Sequence, residues 1–330
     1  MTSYATTMQV IEMSEAGGPE VLRPAQRPTP EPGPGQVLVK VAYAGVNGPD
    51  IMQRKGLYPP PQGASDLLGL EVAGQVAATG TDVKRWKVGD RVCGLANGGG
   101  YAEYCSILED HCLPIPAGLG LAEAASLPEA YFTVWSNIFM TARLTAGETL
   151  LVHGGAGGLG TAAIQLGKAF GARVAATDHP ADRVATCTTI GADRAIDYET
   201  EDFVETVRSA FGGADVILDI VGGPYIQRNI KAARHDGRIV QLAFALGSKV
   251  QLDVMPVMLK RLLYTGSTLR SRADSFKSEV ARQLEAQVWP LFATGKLKSV
   301  VGTTLPLAQA GEAHRLMEQA AHRGKIVLQA

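Results

Sequence analysis

The sequence has little of what several large function classes need. It holds four cysteines in 330 residues, Cys93, Cys105, Cys112 and Cys187, with no C-x-x-C pair among them. A disulfide framework is therefore not expected, and a reducing compartment suits the chain. Charge of one sign is also missing. Lys and Arg number 31 against 32 for Asp and Glu, leaving a net charge of −1, and no basic stripe marks a nucleic-acid or membrane surface. The first basic residue is Arg23, so no cationic n-region of a secretory signal is read. One uncharged run, Thr149 to Gly167, reaches membrane-spanning length. Five of the seven residues from Gly154 to Gly160 are glycine, however, a poor composition for a helix in lipid or in water. The expectation is a cytoplasmic protein without nucleic-acid or membrane partners.

What is present is a globular composition. Apolar residues make up 46% and charged residues 19%, which excludes a disordered chain and a coiled coil. At about 150 residues per domain the length implies roughly two domains, enough to bury a core without disulfide or metal staples. Glycine, 38 of 330, exceeds the usual share of about 7% without a collagen period, pointing to tight turns and close backbone approaches.

Proline divides the chain. Ten of the 18 prolines fall between Pro19 and Pro61, so the early part reads as extended chain and short strands. Gln36 to Ala44 alternates and is rich in valine, and Glu71 to Ala78 and Arg91 to Leu95 repeat the pattern. An irregular β lobe up to about residue 125 is expected. After Pro128, short apolar runs alternate with helical patterns: Thr149–His153, Arg173–Thr177, Arg194–Asp197, Asp215–Ile220, Arg238–Ala243 and Leu262–Ser267. That spacing predicts βα units on a parallel sheet. Leu159, Ala162, Leu166 and Phe170 would form the buried stripe of the first helix. Lys325–Leu328 reads as a last strand that returns to the first lobe, because six strands already complete a doubly wound sheet. The expected division is 1–127, 128–268 and 269–330.

The strongest local signal is Leu150-Leu151-Val152-His153-Gly154-Gly155-Ala156-Gly157-Gly158-Leu159-Gly160. It carries G-x-G-x-x-G from Gly155, directly after a predicted strand and opening a predicted helix. Gly155 permits the tight turn, Gly157 lets backbone approach a pyrophosphate, and Gly160 lets helix and strand pack closely. The helix N-terminus then offers unpaired N–H groups to negative charge. The reading is a dinucleotide site formed by Gly155, Ala156, Gly157, Gly158 and Leu159. Asp178 ends the next strand, eighteen residues past Gly160. An acid there accepts the ribose hydroxyls of NADH and repels the 2′-phosphate of NADPH, while Arg183 and His179 are placed to neutralise that phosphate.

Three further stretches carry a resemblance. They are Gly45-Val46-Asn47-Gly48-Pro49-Asp50 with its continuation to Gly56-Leu57-Tyr58-Pro59-Pro60-Pro61, then Leu68-Gly69-Leu70-Glu71-Val72-Ala73-Gly74, then Gly266-Ser267-Thr268-Leu269-Arg270. Together with the glycine turn, the chain resembles the zeta-crystallin-type quinone oxidoreductases, a zinc-independent branch of the medium-chain dehydrogenase/reductase superfamily. The resemblance implies a GroES-like β lobe, a Rossmann domain and a homodimer. Edge strands of the nucleotide domain would pair in that dimer, and the apolar run Gln241–Leu246 is expected near the edge.

The zinc alcohol dehydrogenases of the superfamily would have Cys at the position of Asn47 and His at that of Leu70. Neither is present, and no cysteine has a zinc-site neighbour pattern. Removing a hydride from an alcohol needs an alkoxide, which zinc supplies by lowering the pKa of the bound oxygen. A chain without that metal is expected to donate hydride to an acceptor that is already electron-poor, a quinone or a conjugated enone or enal.

The resemblance also assigns roles. Asn47 would face the nicotinamide end and serve acceptor and ribose, and Tyr58 would orient the acceptor or donate a proton; an ordinary turn Asn and a Tyr packed on prolines are the plain alternatives. Asp50 is expected to anchor a loop. Cofactor contacts are implied for Thr133, Tyr198, Phe244, Leu269 and Lys325, with Arg183 at the position of a phosphate-binding Lys. Lys325 is otherwise read as a solvated charge. The family favours NADPH and Asp178 favours NADH. Three functions compete: quinone reduction by NAD(P)H, reduction of an alkenal or enone double bond, and a non-catalytic cofactor-binding stress or structural role.

Overall fold

A computed structural model describes residues 4–330. The chain divides into two units, one made of the residues up to Phe132 with Arg270–Ala330, the other of Thr133–Leu269. The first division falls inside the helix Pro128–Val134, a few residues beyond the expected limit at 127.

The first unit is built on a mainly antiparallel sheet. In order across it run Val301–Pro306, Lys325–Gln329, Gln36–Val46, Glu71–Thr79, Arg91–Leu95 and Cys112–Pro114, with Tyr104–Leu108 also pairing with Gln36–Val46. A separate hairpin joins Thr7–Met13 to Leu22–Pro28. Gln36–Val46 is the spine because its valines suit a pleated, buried surface. Val37, Val39 and Val41 meet Val72, Val92, Ile326 and Leu328 in one core. The C-terminal strand does return to this lobe. Ile326 lies opposite Val46, which brings Lys325 to the end of the spine, next to Asn47.

Asn47 follows that strand as the N-cap residue of the helix Gly48–Arg54, with Pro49 in the first turn; Asp50 reaches back to accept the Asn47 backbone N–H, while the Asn47 side chain makes no capping bond.

The second unit is a six-stranded parallel sheet. Its order is Arg194–Asp197, Arg173–Asp178, Thr149–His153, Ala214–Asp219, Ala233–Gln241 and Leu263–Gly266, the doubly wound arrangement of a Rossmann domain. Leu150, Leu151 and Val152 are fully buried in the central strand, as expected of a strand covered on both faces. The helix Gly158–Ala169 turns Ala162 and Leu166 inward, while Leu159 and Phe170 at its ends are only partly covered.

The Gln241–Leu246 run lies beside the edge of this sheet: Gln241 closes the fifth strand opposite Gly266, and the residues after it enter a loop. The edge strand itself is Leu263–Gly266, where Leu263 and Tyr264 are exposed. Among the described residues, no helix is long and apolar enough to cross a membrane. The Thr149–Gly167 run is instead a strand, a glycine turn and a helix.

Candidate functional site

In the first unit, the polar groups gather where the spine strand meets its helix. Glu71 is fully buried. Its Oε1 accepts the Asn47 Nδ2–H at 2.9 Å and lies 2.5 Å from Lys325 Nζ, and its Oε2 accepts the Glu129 backbone N–H at 2.8 Å. Lys325 also donates to Asn47 Oδ1. Three side chains therefore close a ring in which each touches the other two. Gly45 makes room for it, because a Cβ there would lie 2.0 Å from Glu71 Oε1.

Lys325 is 5% exposed, so its reading as a solvated charge is corrected. A lone buried ammonium is costly, and Glu71 compensates it. Asn47 is brought to Lys325, but its amide is largely committed: its oxygen accepts from Lys325, and its Nδ2 donates to Glu71 at 2.9 Å and to Gly45 O at 3.5 Å, leaving one oxygen lone pair. Asp50 anchors the loops around it. Its Oδ2 accepts the Asn47 backbone N–H at 2.8 Å and its Oδ1 that of Gly69 at 3.1 Å. Burial pushes this carboxyl up to about 6, against the pull of those two hydrogen bonds and of Lys325.

Tyr58 is half-buried. Burial, reinforced by Glu129, raises its hydroxyl above the ordinary tyrosine value, and the Arg270 guanidinium opposes the rise. The phenol is therefore protonated at neutral pH and available as a donor. Arg270 is buried and bonded to neutral acceptors, Gln53 Oε1 at 2.6 Å and both the carbonyl and side-chain oxygens of Asn97 at 3.3 Å.

Metal chemistry does not fit these residues. The family positions for zinc hold Asn47 and Leu70, and the neighbouring carboxylate, Glu71, is taken by an ammonium. Among the described residues no group of three or more His, Cys, Asp or Glu side chains is placed to hold a metal ion.

In the second unit, the glycine turn has the geometry of an anion site. The N–H groups of Gly154 and Gly155 are tied to Thr177 O at 3.0 and 3.1 Å and that of Gly157 to Gly154 O at 3.2 Å. Gly158, Leu159 and Gly160 open the helix, so their N–H groups have no intrahelical acceptor. A Cβ on Gly157 would meet only Gly154 O, at 3.5 Å. The space over the turn is open, as a pyrophosphate requires. The Ala156 N–H is instead donated to Asp178 Oδ2 at 2.7 Å.

Asp178 is turned inward. Besides Ala156, it accepts its neighbour His179 N–H at 2.9 Å and Arg183 Nε and Nη2 at 2.7 and 3.3 Å. The carboxylate thus braces the turn, and Arg183, expected at a phosphate, neutralises it. His179 Nδ1 lies 2.9 Å from Asp197 Oδ1 and its ring 5.6 Å from that of Tyr198. Tyr198 and Phe244 are exposed at this end of the sheet, and Phe244 crowds Gly222, where a Cβ would come within 2.7 Å of its ring. Thr133 and Leu269 are buried. Asn137 connects their segments, donating to Thr133 O at 2.9 Å and accepting from Ser267 Oγ at 2.7 Å.

Sequence reasoning missed Glu71 and Arg270 as site residues. The available signal for Glu71 was an acid opening an otherwise apolar strand, a position that demands a buried cation. Nothing in the sequence paired it with Lys325, 254 positions later.

Comparison with known proteins agrees with both units. Residues 33–117 match the alcohol dehydrogenase GroES-like domain and residues 158–286 the zinc-binding dehydrogenase family model. The chain is 31% identical over 337 residues to quinone oxidoreductase of Mus musculus, covering 99% of each. Escherichia coli quinone oxidoreductase complexed with NADPH superposes with a TM-score of 0.87 at 29% identity, over 98% of this chain and 100% of that one. CurK enoyl reductase superposes with a TM-score of 0.86 at 27% identity, over 98% and 99%. With a GroES-like lobe, a doubly wound nucleotide unit and full-length similarity of this degree, the chain belongs to the quinone oxidoreductase family of the medium-chain dehydrogenase/reductase superfamily.

Proposed function

We propose that the chain is a zinc-independent reductase that passes a hydride from NADPH to a quinone. The observation that carries this reading is the Asn47–Glu71–Lys325 ring: the two positions where the alcohol-oxidising relatives would hold zinc carry the Asn47 amide and the apolar Leu70, and the carboxylate beside them, Glu71, is bound to an ammonium. Without a Lewis acid to generate an alkoxide, the favourable direction is reduction of an electron-poor acceptor.

A bound nicotinamide supplies the hydride. Gly158 and Leu159 hold the pyrophosphate with backbone N–H groups, and the open face of Gly157 lets it approach. Arg183 cancels the charge of Asp178, which removes the main repulsion against a 2′-phosphate and supports NADPH; the NADPH complex of the E. coli relative points the same way. Tyr198, Phe244, Thr133 and Leu269 border the cofactor. Asn47 orients nicotinamide ribose or acceptor with the remaining lone pair of its Oδ1, and Lys325 presents its third N–H beside it. Tyr58, protonated at neutral pH, donates a hydrogen bond or its proton to the acceptor oxygen, so that hydride and proton together complete the two-electron reduction.

The similarity to CurK enoyl reductase favours reduction of a conjugated double bond as the second reading. The protein works in the cytoplasm as a homodimer. The exposed apolar side chains of the Met255–Lys260 helix and the Leu263–Gly266 edge strand support the dimer. The test is loss of nicotinamide absorbance with benzoquinone, naphthoquinone and an enal, each with NADPH and NADH. Turnover of quinones with NADPH, unaffected by a chelator, is expected. Turnover of the enal alone selects the second reading, and absence of turnover with all acceptors refutes both in favour of a non-catalytic role.

A further inference from the structure

Behind Asn47 lies a chain of buried polar groups that the proposed reaction does not use. Arg54, Tyr101 and His314 are fully buried and Asp50 nearly so. Arg54 Nη1 lies 3.3 Å from His314 Nδ1, His314 Nε2 lies 3.0 Å from the Tyr101 hydroxyl, and that hydroxyl lies 3.3 Å from Asp50 Oδ2. At its outer end Arg54 donates to Gly17 O at 3.0 Å and to Glu318 at 2.9 Å, and Glu318 also meets Lys55 at 2.7 Å.

Chemistry fixes the direction of every bond. A guanidinium has only donors, so His314 Nδ1 must accept from Arg54. The neutral ring then carries its proton on Nε2 and donates to the Tyr101 oxygen. The Tyr101 hydroxyl, having accepted, donates onward to Asp50. Asp50 also receives the backbone N–H groups of Asn47 and Gly69, so an ionised carboxylate is the acceptor that ends all three series. Protonated, Asp50 would lose acceptor capacity and turn a donor towards donors.

We propose that Asp50 is the positioning residue of the site. The donor series Arg54 to His314 to Tyr101 keeps it ionised, and Asp50 in turn holds Asn47 and the Gly69–Glu71 segment in register. The inference rests on Asn47 being a site residue, as proposed above. The charges facing Asp50 are accounted for: Lys325 lowers its proton affinity, Glu71 raises it, and its own charge acts on Arg270 across the same interior. Burial pushes the carboxyl up to about 6 and His314 down to about 3, the latter helped by Arg54. Asp50 therefore titrates just below neutrality while His314 stays uncharged.

Four asparagines, Asn47, Asn97, Asn137 and Asn229, make the test direct. With 15N-asparagine labelling, Asn47→Gln assigns the Asn47 backbone amide, whose proton bonds to Asp50. In the wild type that amide is expected to titrate with a midpoint near 6 while Asn137 and Asn229 do not follow it. Tyr101→Phe removes a donor to a charged acceptor and should raise the midpoint by about one pH unit. His314→Leu should do the same. His314→Gln, which keeps an acceptor for Arg54 and a donor for Tyr101, should leave it near the wild-type value. The NADPH dissociation constant, followed by fluorescence over the same range, should rise as Asp50 protonates. An Asn47 amide that does not titrate in the folded wild type overturns the proposal, as does a midpoint unmoved by Tyr101→Phe and His314→Leu. NADPH affinity that ignores the titration also overturns it. No NADPH binding at any pH refutes the proposed function instead, and leaves the amide titration to decide whether the donor series holds Asp50.

Discussion

The Arg183 guanidinium clasps the Asp178 carboxylate with Nε at 2.7 Å and Nη2 at 3.3 Å, and both side chains are buried. An acid at the end of the second strand ordinarily reads the adenosine ribose. Here its charge is cancelled and its lone pairs face the glycine turn. NADPH should therefore have a kcat/KM at least equal to that of NADH. Arg183→Ala uncovers the carboxylate and should lower the NADPH value about tenfold relative to NADH, near 1.4 kcal/mol. Asp178→Ser frees the Ala156 N–H and should weaken both cofactors together. A ratio within about twofold of wild type in Arg183→Ala would show that the pair does not govern the 2′ position.

Two glycines of the turn should respond differently to a side chain. A Cβ on Gly157 meets Gly154 O at 3.5 Å, an ordinary contact. On Gly160 it would lie 2.2 Å from the same oxygen and 2.6 Å from Gly155 Cα. Gly157→Val is expected to fold with near wild-type stability and to lose at least about tenfold in cofactor affinity, because its methyls occupy the pyrophosphate space. Gly160→Ala should itself cost about 1–3 kcal/mol of stability from overpacking. Calorimetry with cofactor and urea unfolding separate the two effects. Unchanged affinity in Gly157→Val would show that the phosphates bind elsewhere.

These contrasts mark what the sequence could show. The six parallel strands and the glycine turn were legible because hydrophobic runs, helix period and glycine spacing are local signals. Asn47 and Lys325 were visible only through the family resemblance, since strand pairing brings them together across 278 positions. The inward turn of Asp178 was not visible at all: the same residue at the same strand end serves ribose or backbone according to whether an arginine one helical turn on can fold back. Edge and interior strands were likewise indistinguishable, both being short apolar runs.

Glu71→Gln tests the buried ring. The substitution keeps the shape of the side chain but leaves Lys325 without its counter-charge. Breaking a buried pair in this way costs about 3–5 kcal/mol, and urea unfolding should show a loss of that order. The double variant Glu71→Gln, Lys325→Met removes the stranded charge and should recover much of the stability, but not the activity, because Asn47 Oδ1 has lost its donor. Recovery of both would mean that the ring serves folding alone.

The exposed apolar groups of the second unit bear on assembly. Met258 and Leu259 on one helix are 70% and 60% exposed and Leu263 on the edge strand 63%. An uncovered apolar strand edge invites pairing, and a two-fold dimer of the edge strands would cover it. Light scattering should report twice the chain mass of 34.8 kDa. Leu263→Glu, which places a charge in that edge, should return the species to a single chain. A single-chain mass for the wild type at all concentrations would refute the dimer.

Asp50 and His314 make opposite contributions to acid stability. His314 is held uncharged, down to about 3 from an ordinary 6.5, chiefly by burial. As pH falls below 6.5 the unfolded chain takes up that proton first, so the stability contributed by a neutral His314 is lost between about pH 6.5 and 3. Asp50 is raised from 3.8 to about 6, again by burial. The folded chain binds its proton first, so its ionisation costs stability as pH rises from 3.8 through 6 and that cost is relieved on acidification. Between pH 7 and 4.5, His314→Gln should therefore lose less unfolding free energy than the wild type, and Asp50→Asn should lose more. Urea unfolding at the two pH values measures both differences. Equal losses in all three proteins would mean that neither group carries the charge state its surroundings impose, and the series of hydrogen bonds from Arg54 to Asp50 would have to be broken at Tyr101.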